Sequence, residues 1–431
     1  MTVFALREAS GRQPASSAPA PAIDRPGVGH LEHISVELAD AARFAALTEA
    51  WMSLAARAGV PNAFMDPAVA LAMAEAWPDP VRILLAWALP ERGAPAQLVG
   101  AWLLIERRTR LSWPYRALVS PVCSVAYLGT PVIDPEHARA AFAAMFATIR
   151  KTPALPKLVD VGDLSDDQVL MGALKAALSE GVGGWAQVER RRRAKLETQL
   201  DAKVYWTRSM SDHHRHDLAR LRRRLSERGK LEFRVVRDPD AVAAEVEEFL
   251  VLEASGWKAA RHSALACDPA TARFTRVMTR GLASRGLVAV HSLRLDDRPI
   301  SSSIVLYSGT GAFTWRTSYD ESYRRFSPGI LTLEGTTTDL LSDPSVRSTD
   351  SCNHLDIGFQ AQRWAERHEI VDLVIDLGSK RPWRLALLVG RERCLRRCKA
   401  LARQAYHALR RRKAELTVKL RRWTERPGSA A

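Results

Sequence analysis

The chain has 431 residues, of which 47% are hydrophobic and 26% charged, and its formal net charge is +15. This length predicts two or three domains, and the composition excludes a wholly disordered chain. No apolar run reaches the ~18–20 residues that span a bilayer, and the N-terminus lacks the basic region and apolar core of a secretory signal. Five cysteines without a C-x-x-C pair argue against a disulfide framework. We therefore expect a cytoplasmic protein.

The positive charge is concentrated in two segments. Residues 379–431 contain 17 Lys/Arg and 3 Asp/Glu, and residues 190–237 contain 16 and 6. These segments carry +14 and +10, so the rest of the chain carries −9. A general nucleic-acid binder would spread its basic residues over the folded surface. The body of this protein is mildly acidic instead.

The elements of the first part of the chain follow an Ala-, Pro- and Ser-rich segment, residues 1–30, which we expect to be a disordered tail. Apolar spacing and alternation then predict α-helices and β-strands in turn. The predicted helices are 44–58, 67–76, 135–150 and 166–179, and the predicted strands are 81–89, 97–107, 119–128 and 157–161.

The second part of the chain repeats this plan after the basic segment. The predicted strands are 231–236, 287–295, 300–308, 312–319, 354–357 and 370–376, and the predicted helices are 239–255, 269–285 and 328–341. Segments 84–106 and 290–315 share one layout, a strand, a charged turn with proline and a second strand. We therefore predict two α+β halves, 31–189 and 190–378, followed by a basic tail, 379–431.

One loop between a strand and a helix has the features of an anion site. Ser327 is a good N-cap, Pro328 suits the first helical position, and Gly329 permits close approach of a ligand. Arg324 and Arg325 precede the helix, whose free N–H groups favour an anion such as a pyrophosphate. The alternative is a well-capped helix with two solvated arginines.

The same loop, RRFSPG at 324–329, resembles the Arg/Gln-x-x-Gly-x-Gly/Ala phosphate loop of the GNAT N-acyltransferase superfamily, with Ser327 in place of the first glycine. LEASGWK at 252–258 and YDESY at 319–323 resemble elements of its CelD-like branch, which is named for cellulose biosynthesis. That branch is similar to the Fem peptidyl transferases, which pair two GNAT-like halves. The resemblance covers roughly 35–378 and departs from the pattern after Gly358.

The resemblance implies an α+β fold of two tandem GNAT-like halves, each a mixed, mostly antiparallel sheet flanked by helices. It implies a bacterial enzyme that transfers an acyl group from acetyl-CoA or another acyl-CoA to an amine or hydroxyl of a sugar, polysaccharide or cell-envelope precursor, without a metal. The co-substrate would bind in the second half. Its pyrophosphate would meet the loop residues Arg324, Arg325, Ser327 and Gly329, and its pantetheine arm would meet Trp315, Thr317 and Ser318.

The proton carriers of such a reaction are less constrained. Glu253 is a candidate general base that Trp257 desolvates, or it is a surface glutamate. Asp320 is a candidate base or a cap of the loop, and Tyr319 is a candidate acid or a core tyrosine. Trp257 and Lys258 are candidates for contact with the acceptor. The histidines at 213, 214 and 216 lack a completing carboxylate or cysteine, so we expect no metal site there.

The basic tail carries apolar residues every seven positions from 388 to 423 and predicts an amphipathic helix over 383–424. Such a helix could lie on an anionic membrane surface, pack on a partner helix or bind RNA. A peripheral location on the inner membrane would suit an envelope precursor. Two rival functions stay open, a catalytically degenerate scaffold that recruits partners at the membrane and a Fem-like aminoacyl transferase that uses charged tRNA; other nucleic-acid binding is disfavoured.

Overall fold

The computed structural model describes residues 33–89, 95–121, 125–180, 183–378, 383–399, 401, 402 and 405. Its strands are β1 His33–Ala39, β2 Val81–Leu89, β3 Gln97–Arg107, β4 Ala117–Val119, β5 Val132–Ile133, β6 Leu158–Ser165, β7 Gly184–Leu196, β8 Leu231–Val236, β9 Val288–Leu295, β10 Arg298–Ser308, β11 Gly311–Tyr319, β12 Ser348–Asp350 and β13 Glu366–Asp376. Its helices are α1 Ala41–Ala45, α2 Thr48–Arg57, α3 Pro67–Ala76, α4 Ala138–Lys151, α5 Gln168–Ser179, α6 Ala202–Ser209, α7 Asp212–Ser226, α8 Pro239–Ala254, α9 Trp257–Ala260, α10 Pro269–Ala283, α11 Pro328–Ser342 and α12, residues 383–399. A short 3₁₀ helix, Glu321–Phe326, precedes α11.

Aspartates define the start of most of the longer helices. The side chains of Asp66, Asp167, Asp201, Asp238 and Asp268 each accept a hydrogen bond from a backbone N–H in the first turn of the helix that follows. These bonds satisfy donors that the helix itself leaves free. Proline at the first position of α3, α8, α10 and α11 costs no hydrogen bond, because that N–H has no helical acceptor.

The strands form one continuous sheet in the order β1-β2-β3-β4-β6-β13-β7-β12-β11-β10-β9-β8, with β5 beside β3. This order consists of two similar series of strands, one that starts at β1 and one that starts at β8, and they meet at the centre of the sheet. Each series begins with antiparallel strands and then makes one parallel pair, β4 with β6 in the first and β11 with β12 in the second. The predicted α+β class with two similar halves is confirmed, and the halves share one sheet.

The two central strands are exchanged between the halves. β7 follows the first series along the chain, yet it pairs with β12 of the second. β13 closes the second series, yet it pairs with β6 of the first, and β13 and β7 pair with each other along the whole of β13. Because every backbone group in a central strand needs a partner, this exchange makes each half depend on the other for its sheet.

Side chains also cross between the halves. The rings of Phe64 and Phe313 meet edge to face with centroids 5.6 Å apart. The indole N–H of Trp315 donates to the Val125 carbonyl at 2.8 Å, and the Arg285 guanidinium bonds both oxygens of Asp66. The largest hydrophobic cluster accordingly contains residues from β2 through β13.

Several predicted boundaries differ from the observed ones. The predicted boundary after residue 189 falls inside β7, whose run of arginines had concealed a strand. Residues 354–357 are a loop rather than a strand, and the strand in this part of the chain is β12, which precedes them. The predicted strand 119–128 is mostly a loop. The strand β4 ends at Val119, and residues 120, 121 and 125–128 lie outside it. The predicted 1–30 tail lies outside the described residues.

The helix α12 packs on the body of the protein. Leu385, Leu388 and Val389 join a cluster with residues of β4, β6 and β13, and Arg391 donates to the carbonyls of Arg110, Leu111 and Trp113. Leu388 belonged to the predicted membrane or partner stripe, but its side chain faces the protein's own sheet. Residues beyond 405 in the predicted 383–424 helix lie outside the described residues.

The two adjacent leucines of α12 provide a matched test of this docking. Leu388 is 4% exposed and Leu387 is 66% exposed. We expect Leu388→Ala to lower the free energy of unfolding by about 2–4 kcal/mol, because it removes buried methyl groups and leaves a cavity. Leu387→Ala should change it by less than about 0.5 kcal/mol. Urea denaturation measures both; equal effects would contradict the docked position of α12.

Candidate active-site cleft

The parallel strands β11 and β12 diverge and leave a cleft. They pair only from Gly311 to Phe313 on β11, against Ser348 to Asp350 on β12. Beyond Phe313 the sheet opens, and β11 continues to Tyr319 bonded on its other side to β10. A β-bulge lies at the opening, where the register skips Trp315. No described strand pairs with this side of β11 beyond Phe313, and the Thr317 carbonyl in this stretch accepts a hydrogen bond from Lys258.

The opening contains a cavity of about 290 Å³. It is lined by Tyr127, Glu253, Gly256, Trp257, Lys258, Thr314, Trp315, Arg316, Thr317, Ser318, Tyr319, Ser351, Cys352, Asn353, Phe359 and Gln360. The structure thus brings together the predicted residues of β11 and of the 252–258 motif, which lie about 60 positions apart in the chain. The loop residues Arg324, Arg325, Ser327 and Gly329 follow the end of β11 and are not part of the cavity lining.

A buried ion pair stands at one wall of the cleft. The Lys258 ammonium donates to Glu253 Oε1 at 2.7 Å and to the Thr317 carbonyl at 2.8 Å, and Glu253 Oε2 accepts from the Leu265 N–H at 2.7 Å. Burial lowers the pKa of Lys258, although the contact with Glu253 acts in the opposite direction. Glu253 is fully buried, so the surface interpretation of this glutamate is wrong.

The floor of the cleft is a chain of neutral polar groups. Asn353 donates its amide to Gln360 Oε1 at 2.9 Å, Gln360 donates to Thr314 Oγ1 at 2.6 Å, and Thr314 donates to the Asp350 carbonyl at 3.2 Å. Gln360 and Phe359 belong to the segment where the sequence departs from the CelD-like pattern. That segment therefore shapes the cleft directly.

The remaining candidate side chains border the cleft. Tyr319 lies on its wall, and exposed Trp257 lies at its rim with the Arg261 guanidinium 4.9 Å from the ring centroid. Asp320 Oδ1 accepts from the N–H and the hydroxyl of Ser322 at 2.9 and 2.7 Å, which caps the 3₁₀ helix. The capping interpretation of Asp320 fits these contacts.

The predicted phosphate loop turns sharply into α11. Ser327 is the N-cap residue of α11, as predicted, but it has a left-handed conformation with φ of 52° and its side chain makes no capping hydrogen bond. Glycine adopts this left-handed backbone conformation most easily, because it has no Cβ. An added Cβ at Gly329 would meet only the Tyr319 ring, at 3.6 Å, so internal packing does not require glycine there.

Basic side chains surround this turn. Arg324 and Arg325 are exposed, and the guanidinium groups of Arg325 and Arg228 lie 4.8 and 4.9 Å from the Phe326 ring centroid. The basic helix α7 packs beside the 3₁₀ helix. The positive charge of these arginines favours a phosphate group. Among the backbone N–H groups at the turn, that of Ser327 donates to the Arg324 carbonyl and that of Ile330 to the Ser327 carbonyl, and Pro328 has none.

Some cleft residues carried no signal in the sequence. Tyr127 comes from the first half, and its carbonyl accepts a hydrogen bond from Arg193 at 2.8 Å. Ser351, Cys352 and Asn353 follow β12, which has three residues and is too short to show a periodic pattern in the sequence. Burial raises the pKa of the Cys352 thiol well above its ordinary value, which disfavours a nucleophilic thiolate. Within the described ranges, no group of His, Cys, Asp and Glu side chains could hold a metal ion.

Comparisons with known proteins agree with this geometry. Residues 212–352 match the family model described as an acetyltransferase (GNAT) domain. No curated protein matches the chain. The crystal structure of FemX is similar over 82% of this chain and 100% of its own, with 11% identity and a TM-score of 0.55. The matched domain and the fold support an acyltransferase of the GNAT type.

Two further solved structures resemble the chain less closely. The C-terminal domain of a putative lysylphosphatidylglycerol synthetase from Agrobacterium fabrum has 13% identity and a TM-score of 0.43, with coverage of 78% of this chain and 93% of its own. A tandem GNAT protein from the clavulanic acid biosynthesis pathway has 12% identity and a TM-score of 0.39, with coverage of 80% and 99%.

The buried pair in the cleft can be tested by a double-mutant cycle. Lys258→Met or Glu253→Gln alone leaves one buried charge without its partner, and each should lower the free energy of unfolding by about 3–5 kcal/mol. The double variant should cost clearly less than the sum, because neither charge remains. Urea denaturation of the four proteins measures the coupling, and strictly additive losses would contradict the pairing.

Proposed function

We propose that the protein transfers an acyl group from an acyl-CoA, with acetyl-CoA as the first candidate, and that the reaction takes place in the cleft between β11 and β12. The observation that carries this proposal is the opening of a parallel strand pair beside the start of α11. It provides an unpaired strand edge for the amide groups of a pantetheine arm and, next to it, a positive turn for a pyrophosphate.

Each predicted binding residue has a place in this proposal. Trp315, Thr317 and Ser318 would line the pantetheine arm along β11. The pyrophosphate would lie against Ser327 and Gly329, with Arg324 and Arg325 supplying charge from the adjacent 3₁₀ helix.

The acyl transfer requires four changes of bonds and protons. The acceptor nitrogen or oxygen attacks the thioester carbon, the C–S bond breaks, the acceptor loses a proton and the thiolate gains one. Lys258 faces the cleft as a cation and would stabilise the oxyanion of the tetrahedral intermediate. Tyr319 would protonate the thiolate, and Asp320 would hold the loop.

In this proposal Glu253 is not the general base that the sequence suggested. Both of its oxygens already accept hydrogen bonds, from Lys258 and from the Leu265 N–H. These contacts favour a carboxylate that positions Lys258 over one that removes a proton from the acceptor. The acceptor proton would then leave through water at the open mouth of the cleft.

The acceptor in this proposal is an amine or hydroxyl of a sugar, polysaccharide or other cell-envelope precursor. The resemblance to the CelD-like branch supports it, and so does exposed Trp257 at the rim, since an aromatic face suits a sugar ring. A Fem-like aminoacyl transfer from charged tRNA is the second candidate, because the exposed arginines of α7 lie beside the phosphate loop. The open cleft favours either enzyme over a degenerate scaffold.

We also propose that the protein sits on an anionic membrane surface. Trp113, Tyr115, Trp383 and Leu387 are exposed, the two tryptophans by about 60%. The Arg384 guanidinium lies 4.2 Å from the Tyr115 ring centroid and that of Arg391 6.0 Å from the Trp113 ring centroid, so the loop and α12 form one surface.

That surface combines the two features of interfacial binding, aromatic side chains for the headgroup region and arginines for anionic lipids. It lies on a different side of α12 from the stripe that contains Leu388. Of the helices that the structure describes, none is long and apolar enough to cross a bilayer. Attachment at the surface would bring the cleft to a membrane-bound precursor.

Calorimetric titration with acetyl-CoA tests the co-substrate. We expect wild-type protein to bind, and the double variant Arg324→Ala/Arg325→Ala to bind at least about tenfold more weakly, because charge-assisted contacts contribute about 1.5–3 kcal/mol each when they form. Arg43→Ala, at a distant edge of the sheet where Arg43 pairs with Glu37, is the matched control and should bind normally. Failure of the wild type to bind any acyl-CoA would contradict the proposal.

Vesicle flotation tests the membrane surface. We expect co-flotation with vesicles rich in phosphatidylglycerol, little with neutral vesicles, and a loss of at least about fivefold in bound protein for Trp113→Ala/Leu387→Ala. Trp185→Ala is the control, since Trp185 is an exposed tryptophan with Lys175 at 5.7 Å from its ring. Equal binding to neutral vesicles, or no effect of the double variant, would rule out this surface.

A further inference from the structure

A second polar cluster lies at the centre of the sheet, next to the acyl-CoA cleft but lining a different groove. The Oγ of Ser165 is 2.9 Å from His368 Nε2, and His368 Nδ1 is 2.7 Å from Asp350 Oδ2. Ser165 ends β6, His368 lies on β13, and Asp350 ends β12. The three side chains thus form a serine–histidine–aspartate chain of hydrogen bonds that none of the proposed acyl-CoA chemistry uses.

Each member is held in the orientation that such a chain needs. The Ser165 N–H donates to Thr130 Oγ1 at 2.8 Å, which fixes the serine backbone. Asp350 also pairs with buried Arg193, at 2.7 Å. Burial alone would raise the pKa of Asp350, but Arg193 and His368 outweigh it and hold this pKa well below its usual range. An ionised Asp350 keeps the proton of neutral His368 on Nδ1 and leaves Nε2 free to accept from the serine.

The cluster opens onto a groove of about 610 Å³ between the two halves of the sheet. All three members line it, together with Leu128 and Phe313. A groove of this size accommodates a short acyl chain and its leaving group. The helix α5 begins three residues after Ser165, so its first N–H groups lie close to the serine along the chain.

We propose that Ser165, His368 and Asp350 form a second reactive centre, in which Ser165 accepts an acyl group from a short-chain ester or thioester. His368 Nε2 takes the hydroxyl proton as Ser165 Oγ bonds to the carbonyl carbon, and the proton passes to the departing alkoxide or thiolate as its bond to that carbon breaks. Water then releases the acid by the same steps and restores the serine. Because Arg193 shares the Asp350 charge, this serine is a slower nucleophile than one beside an unpaired aspartate.

A fluorophosphonate probe tests the centre in the full-length protein without any acyl-CoA. We expect the probe to modify Ser165, as located by peptide mass spectrometry. His368→Gln should slow labelling by at least about 100-fold, because the base is gone. Ser308→Ala removes another buried serine and should label normally.

Two further variants separate reactivity from a purely structural network. Ser165→Ala should lose the label while retaining a cooperative thermal transition, and Ser165→Cys should react with iodoacetamide faster than the other cysteines of the native protein. A burst of p-nitrophenol from p-nitrophenyl acetate, equal to the protein concentration and absent in Ser165→Ala, would support acyl transfer to the serine. Unlabelled Ser165 in native protein, or labelling that His368→Gln leaves unchanged, would overturn the proposal.

Discussion

The exchange of β7 and β13 at the centre of the sheet is the constraint on which the rest of the structure depends. β7 pairs with a strand of the second half and β13 with a strand of the first half, so β6 and β12 obtain their second neighbour only when both halves are folded. The arginines of β7 have partners for the same reason. Arg191 bonds to Asp372 on β13, and Arg193 bonds to Asp350 on β12. Charge pairing at this seam therefore specifies which strand lies beside which.

The cleft follows from that arrangement. β12 has only three residues and pairs with β11 over those three alone, so the sheet opens beyond Phe313. The first half then supplies a wall of the opening, because Asn62 binds the carbonyls of Leu128 and Thr130 and thereby holds the loop that contains Tyr127. The Glu253–Lys258 pair places a cation in a largely dry setting, where its field acts strongly on developing negative charge.

The sequence predicted the elements whose periodicity is long and regular. The helices α3, α8, α10 and α11 and the strands β9 to β11 were placed within a few residues, and so was the loop before α11. The strand β7 was missed because it carries four consecutive arginines, and the partners of buried Arg193 and nearly buried Arg191 lie on other strands, which no local pattern reveals. The exchange of strands is a property of long-range pairing and leaves no mark in either half alone.

The candidate site was predicted in part for similar reasons. Trp315, Thr317 and Ser318 were found because they lie on one recognisable strand, and Lys258 because it ends a recognisable motif. Ser327 was assigned a capping side chain from residue preference, whereas its left-handed backbone decides its role. Tyr127 and Gln360 reach the cleft through tertiary contacts, and the serine–histidine–aspartate cluster joins three strands that lie far apart in the chain.

A crystal structure of the protein with bound acetyl-CoA would show directly whether the opening between β11 and β12 is the active site. We expect the pantetheine arm along the open edge of β11, the thioester near the bulge at Trp315 and within reach of Lys258, and the pyrophosphate at Ser327–Gly329. Acetyl-CoA bound in the first half of the sheet, or outside the opening between β11 and β12, would contradict this expectation.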